Sequence, residues 1–553
     1  MKITRRTTLG LLGAGASLPQ AAMAQRAIVD ATFAHGVASG DPTIAGAILW
    51  TRVSPGDPAQ TSAVPVRWYV AERENGSPVE QGRTEARPAR DFTVKVEPRR
   101  LHPGREYHFW FEAGGARSPV GRFRTLPQGA TVNAVLAVVS CQLYAGGLFN
   151  AYDAIARLPR LDAVVHLGDY IYEYASKDYG RETAERLGRI PLPPHETVTL
   201  ADYRTRHAHY KTDPDLQAAH ARAAFICVWD DHETTNDSFR EGAQNHQPET
   251  EGSWRQRKAA AMQAYFEWMP IRDPKPGDPW EAINRAFQFG DLATLLMVET
   301  RLLARSKQAE FKGEAPNASE LAAVLAEHRR PDRELLGEPQ RRWVQRELAA
   351  SVGARKPWQV IGNQVVMARV AGPQIDRILG AERAAALLGS LDLALAKRVQ
   401  AIQAGYRAGL PYNTDAWDGY PAARERLYAS FRAAGSRPLV LAGDSHAFWA
   451  NDLFDDGKRL VGAEFGTSSI TSPSVGDALG ELPLGKLLEA ANEEVVFCDQ
   501  KAKGYILLSL DRERARADYV AVSTILAKPF QTRTLASFEV RAAAPDQRLR
   551  HIG

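Results

Sequence analysis

Asp162-Ala163-Val164-Val165-His166-Leu167-Gly168-Asp169-Tyr170-Ile171-Tyr172-Glu173 decides how this chain is read. A short apolar run of strand length spills into Gly-Asp and a string of polar donors, the pattern of a buried strand feeding a ligand-bearing loop. Three more runs end the same way. Ala134 to Val139 leads into Ser140-Cys141, Ala224 to Trp229 into Asp230-Asp231-His232-Glu233, and Pro438 to Ala442 into Gly443-Asp444-Ser445-His446. Asn236 and Asp237 lie just beyond the third. Further strands are expected at Ala293 to Val298 and Gln359 to Ile361, with helices at Leu148 to Leu158, Gly252 to Trp268 and Pro339 to Ser351. Strands alternating with helices point to an α/β fold. Sites in open α/β sheets form beyond the carboxyl ends of the strands, so four distant strand ends can converge on one cleft.

The residue types there suit cations of two kinds. Thiolate, phenolate and imidazole favour a transition metal, while carboxylate and amide oxygens suit a hard cation such as Ca²⁺ or Mg²⁺. Two metals bridged by one carboxylate would use the whole set and could clamp a phosphoryl group. Other polar residues have plainer readings. Cys227 sits inside an apolar run and reads as core; Cys498 reads as structural or unpaired. His207, His209 and His220 lack a nearby carboxylate or thiol and read as structural contacts. Asn363 follows a strand and could approach the cleft, while Arg301 and Arg305 either touch a substrate phosphate or pair with acids. The run from Gly480 to Lys486 has P-loop spacing, but Leu487 stands where Ser or Thr is needed, and no G-x-S-x-G elbow exists.

Upstream the character is different. Ala47 to Arg52, Val66 to Val70, Tyr107 to Phe111 and Gly121 to Thr125 read as short strands between turns. They suggest a fibronectin-type β-sandwich over 25–127, with Leu126-Pro127-Gln128-Gly129 as the exit linker to a unit over 130–540. In that unit Ser176 to Leu200 is polar and could overhang the cleft, and Leu379 to Leu395 suggests a packed helix pair. Glu494 to Phe497, Gly504 to Leu510 and Ala517 to Val522 are expected to adjoin, and 541–553 reads as a charged, mobile tail. The start, MKITRRTTLGLLGAGASLPQAAMA, has paired Arg5 and Arg6, a weakly apolar stretch and Ala22-Met23-Ala24 before a cleavage point. Residues 1–24 thus read as a twin-arginine (Tat) signal peptide.

Composition narrows the class. In 553 residues, 44% are aliphatic or aromatic and 24% charged, which excludes a disordered, collagenous or coiled-coil chain. The net charge is +4, and three of those charges belong to the leader, so no basic face for nucleic acid is indicated. A chain this long needs no disulfide scaffold, and three cysteines without a CxxC pair allow one disulfide and leave at least one thiol free or bound to something. Outside the leader, no apolar stretch is long enough for a membrane helix.

With Phe33-Ala34-His35-Gly36-Val37-Ala38-Ser39-Gly40-Asp41-Pro42 at the start of the sandwich, Asp415-Ala416-Trp417-Asp418-Gly419-Tyr420, and Glu464-Phe465-Gly466-Thr467-Ser468-Ser469, the ordered motifs resemble the PhoD-like alkaline phosphatases over nearly the whole chain. The resemblance implies a four-layer α/β/β/α metallophosphoesterase sandwich behind the β-sandwich. It implies Fe³⁺ held by Cys141, Asp169, Tyr172 and His446, with Asp169 bridging, and one or two Ca²⁺ among Asp230, Asp231, Asn236 and Asp444. His232 takes the place of the acid histidine facing the leaving group. The expected reaction is attack of a metal-held hydroxide on a phosphate monoester or diester, in a periplasmic or secreted enzyme carried out by the Tat translocase. The rival readings are a phospholipase D-type phosphodiesterase, iron redox chemistry, and a non-catalytic adhesion protein.

Overall fold

A computed structural model describes residues 30–310, 317–389, 393–480, 482–543 and 547–553; the proposed signal peptide lies outside the described residues. Two large sheets lie at the centre. The first has ten strands, with Asn133–Val139, Ala163–His166 and Ala224–Cys227 running parallel in its middle. The second has seven, with Ala293–Met297, Trp358–Gly362, Leu439–Ala442 and Leu460–Gly466 parallel.

The two-residue period of a strand sorts its side chains between two cores. Leu295, Met297, Leu439 and Leu441 pack in the core shared with the first sheet. Their neighbours Leu296, Val440 and Ala442 pack outward, against Val344 and Leu348 of the Gly337–Gly353 helix and Leu427 and Phe431 of the Pro421–Ala433 helix. Helices Asn150–Ala156, Leu200–Tyr210, Pro214–Arg222 and Trp254–Trp268 cover the first sheet. The result is the expected four-layer α/β/β/α order, each fully buried Leu, Val or Phe contributing about 1.5–3 kcal/mol.

The N-terminal β-sandwich is present but not separate. Its five-stranded sheet, from Val64–Ala71 to Gly121–Arg124, packs Phe109, Phe111 and Phe123 against Leu49 and Val94 of the opposite layer. That layer, Val37–Gly40, Ile48–Arg52 and Thr93–Val96, is the edge of the ten-stranded sheet, joined through the parallel pairing of Gly40 with Phe225.

Two expectations are corrected at the other end. Gly504–Asp511 and Arg514–Val522 do pair, but Val495–Asp499 belongs to the seven-stranded sheet, against Phe448–Phe454. The chain crosses between sheets at 500–503, where Gly504 N–H donates to Ser469 O. The terminal stretch is no free tail: Arg550–His551 pairs with Phe538 and Glu539, and Arg548 bonds Asp452 at 2.8 Å. The helix pair is found as Ala381–Gly389 and Leu393–Arg407, longer than expected.

Candidate metal centre

The donors gather because the backbone at the strand ends is bent in an uncommon way. Cys141, Asp169, Asp444 and His446 all have positive φ, between 57° and 62°. Non-glycine residues in that region cost free energy and persist only where the surroundings hold them, often at functional sites. Two glycines make the approach possible. A Cβ on Gly168, whose φ is +114°, would lie 2.4 Å from Asp230 Cβ, and one on Gly443 2.5 Å from Ser140 Oγ.

Glu233 staples two of the ends together. Its carboxylate accepts the N–H groups of Asp169 (3.1 Å), Tyr170 (2.7 Å) and Asp230 (2.8 Å), and burial pushes its pKa up to about 8. In sequence it looks like one more acid after Asp-Asp-His, so this role had no signal.

Three overlapping groups result, each with ligand atoms within 4.8 Å of one another: Cys141, Asp169 and His446; Asp169, Asp231 and His232; Asp230, Asp231 and Asp444. Tyr172 joins the first, its hydroxyl donating to Asp169 Oδ2 at 2.9 Å and lying 3.3 Å from His446 Nε2. His446 Nδ1 is 2.7 Å from Pro473 O, which fixes the proton there and leaves Nε2 toward the group. Burial, then Lys503, lowers the His446 pKa to about 3, so the ring is neutral, as a metal ligand must be.

The donor set fits cations. Asp169 Oδ1 and Asp231 Oδ1 are buried without a hydrogen-bond partner among the described residues, which is costly unless another group meets them. Burial, then Asp169, raises the Cys141 thiol well above its ordinary pKa, a bias that only a bound cation would reverse. Cys141, Tyr172 and His446 gather at Asp169, and Asp230, Asp231 and Asp444 form an all-oxygen trio linked to it through the group of Asp169, Asp231 and His232.

His232 stands beside both. Its Nδ1 is 2.7 Å from Glu173 Oε2, and its ring packs on Tyr172 with centroids 4.2 Å apart. Glu173 is fully buried and also accepts from Thr235 Oγ1 (3.1 Å), Asn236 N (2.8 Å) and Asn245 Nδ2 (3.0 Å). Burial alone would lower the His232 pKa, but Asp231, Glu173 and Asp169 outweigh it and hold it well above the ordinary value.

Seven of the eight expected ligands are thus brought together. The Asn236 side chain instead donates to Gln244 Oε1 at 3.0 Å near the surface. Its neighbour Asp237 is tied to the group through its backbone, its N–H donating to Asp231 Oδ2 at 2.6 Å. Arg301 and Arg305 are buried and paired with acids, and Asn363 is spent on Val365 O and the Trp417 indole. His220 bonds the Tyr170 hydroxyl at 2.7 Å, His209 accepts from Leu192 N, and all three cysteines are free and buried. Tyr179, in the segment expected to overhang the cleft, donates to Pro473 O and packs near Tyr172.

The family model described as PhoD-like phosphatase matches residues 136–519, and the one for the PhoD-like phosphatase N-terminal domain matches 19–127. The chain belongs to the PhoD-like phosphatase family. It is 34% identical to alkaline phosphatase D of Bacillus subtilis (strain 168) over 524 residues, covering 92% of this chain and 80% of that one. A solved structure of PhoD superposes with a TM-score of 0.76 at 32% identity, covering 94% of this chain and 92% of the other. As a PhoD-like phosphatase, the protein is a hydrolase acting on phosphoric esters. No described helix is long and apolar enough to cross a membrane.

Proposed function

We propose that this PhoD-like phosphatase is a Tat-exported, metal-dependent enzyme that hydrolyses phosphate monoesters, diesters or both. The observation that carries the reading is the convergence of Cys141, Asp169, Tyr172, Asp230, Asp231, Asp444 and His446 into one set of overlapping donor groups. The thiol, phenol and imidazole side suits Fe³⁺ and the carboxylate side Ca²⁺, with Asp169 between them. When bound, such cations supply Lewis acidity to the phosphoryl oxygens and acidify water.

The chain's own part is the proton. His232, kept cationic by Asp231, Glu173 and Asp169, carries a proton to the departing alkoxide, and the Glu173 contact at Nδ1 leaves Nε2 to deliver it. Tyr172 and Tyr174 flank its ring and limit its rotation. The twin-arginine leader supports delivery of folded protein to the periplasm or beyond.

Turnover of matched aryl phosphate monoester and diester substrates, with EDTA and Ca²⁺ add-back, tests this, the metals being quantified by mass spectrometry. Hydrolysis that EDTA abolishes and Ca²⁺ restores, with iron retained, is expected. Turnover indifferent to chelation would remove the metal reading, and the monoester-to-diester ratio decides between phosphatase and phosphodiesterase.

A further inference from the structure

Glu173 meets Nδ1 of His232 through Oε2, at 2.7 Å. What keeps that oxygen aimed is the set of donors on Oε1: Thr235 Oγ1 (3.1 Å), Asn236 N (2.8 Å) and Asn245 Nδ2 (3.0 Å). The three are not equivalent. Thr235 has one hydroxyl proton and a shorter alternative for it, Asn245 O at 2.7 Å. Asn236 donates from its backbone. Asn245 is therefore the side chain on which the carboxylate depends.

The same amide reaches a second acid. Asn245 Nδ2 lies 3.2 Å from Glu196 Oε1, so one nitrogen spans two carboxylates with a hydrogen for each. An oxygen in its place would face two acids, which fixes the amide this way round. The main chain delivers it. Asn245 O accepts from Thr235 Oγ1 and from Arg257 Nη1 at 3.0 Å, and Asn245 N–H donates to Asn236 O at 3.3 Å. Arg257, fully buried in the Trp254–Trp268 helix, also pairs with Glu196 and with Glu251, each at 2.7 Å, and donates to Thr197 O at 3.0 Å. None of these contacts uses the Asn245 side chain, so the loop stays held when that side chain is changed.

We propose that Asn245 is a positioning residue for the leaving-group proton, holding Glu173 in the one orientation from which Oε2 keeps His232 turned toward the departing alkoxide. The proposal rests on His232 as the acid of the function proposed above. A carboxylate free to turn would let the imidazole swing with it, and a misplacement of about 1 Å at a reacting group can cost on the order of 100-fold in rate. The effect is confined to steps that need the proton. A leaving group stable as its anion departs without one, so it does not sense where the ring points.

The test is steady-state kinetics of the metal-loaded full chain on phosphate esters running from 4-nitrophenol to a simple alkanol as leaving group. His232→Gln sets the reference, its loss in kcat growing along the series to about 10²–10⁴-fold on the alkyl ester. Asn245→Leu, which removes the donor at similar volume, loses about tenfold on the alkyl ester and less than about twofold on the nitrophenyl ester, with KM and bound-metal content unchanged. In the His232→Gln background the same substitution costs nothing further, because residues that act as a unit are not additive. Asn245→Ser, too short to span both carboxylates, carries the test alone where near-UV circular dichroism shows Asn245→Leu unfolded. A loss uniform along the series, a loss that recurs in full without His232, or wild-type kinetics overturns the proposal. If His232→Gln itself shows no dependence on the leaving group, the acid reading falls and the proposal with it.

Discussion

Two fully buried basic side chains divide the catalytic unit into unlike neighbourhoods. Arg301 is surrounded by Asp230, Asp231, Asp415 and Asp444. Lys211, equally buried, has no carboxylate within ion-pair distance among the described residues; it donates to the Tyr170 hydroxyl at 2.9 Å, lies 3.3 Å from His220 Nε2 and sits over the Trp50 ring. The histidines respond in opposite senses. Beside the aspartates, His232 is raised well above its ordinary pKa. Around Lys211, burial, then the lysine's own charge, lowers His166 and His207 to about 3 and holds His220 well below its ordinary value. Burial is common to both regions, so it does not mark the site. What marks it is burial together with unspent negative charge.

The largest effect that would break this contrast is catalytic. His232→Gln is expected to lower kcat about 10²–10⁴-fold on an alkoxide leaving group while bound-metal content stays unchanged. Glu173→Gln should cause a smaller loss by freeing the ring. His220→Gln, in the other neighbourhood, should leave kcat within about twofold, since that imidazole is neutral and faces Tyr170 rather than the cleft. Steady-state kinetics on one substrate series settles it, and equal losses at His232 and His220 would end the distinction.

A smaller effect concerns the cation itself. In metal-stripped protein, Arg301→Met takes from Asp230, Asp231 and Asp444 the guanidinium they share, while Asp415 keeps Arg305, and should cost about 3–5 kcal/mol in urea unfolding. Saturating Ca²⁺ should recover part of that loss, because it binds the native state alone. A loss below about 1 kcal/mol would mean that solvent already screens the aspartates, and the contrast with Lys211 would then be one of position only.

Why one neighbourhood could be read from sequence and the other only in part has a physical cause. Apolar runs that stop at Ser140-Cys141, Gly168-Asp169, Asp230-Asp231 and Gly443-Asp444 announce themselves, since strand period and donor type are both local. The left-handed turns at Cys141, Asp169, Asp444 and His446 leave no such trace, because those residues seldom adopt that backbone and only the packed fold imposes it. Glu233 and Glu299 act by accepting backbone N–H groups, a task any surface-looking glutamate could be given. Arg301 read equally as substrate contact or buried pair, and its partners come from segments more than a hundred residues further on as well as from Asp230 upstream. The joining of the two domains through Gly40 and Phe225, and the departure of Val495–Asp499 to the other sheet, are likewise choices of partner, and strand composition is silent on partner.

The smallest effect isolates Lys211. Burial lowers its pKa from 10.5 to about 7, so between those values the unfolded chain holds a proton that the folded chain does not. Stability linked to this group is then fully present above pH 10.5 and is lost as pH falls toward 7, with a slope of at most about 1.4 kcal/mol per pH unit. Lys211→Met removes the proton and therefore the slope. Urea unfolding of both proteins from pH 7 to 9.5 should show the wild type gaining on the variant as pH rises. Parallel profiles would mean that Lys211 stays charged when folded; a counter-charge would then have to reach it, and the two neighbourhoods would differ in degree rather than in kind.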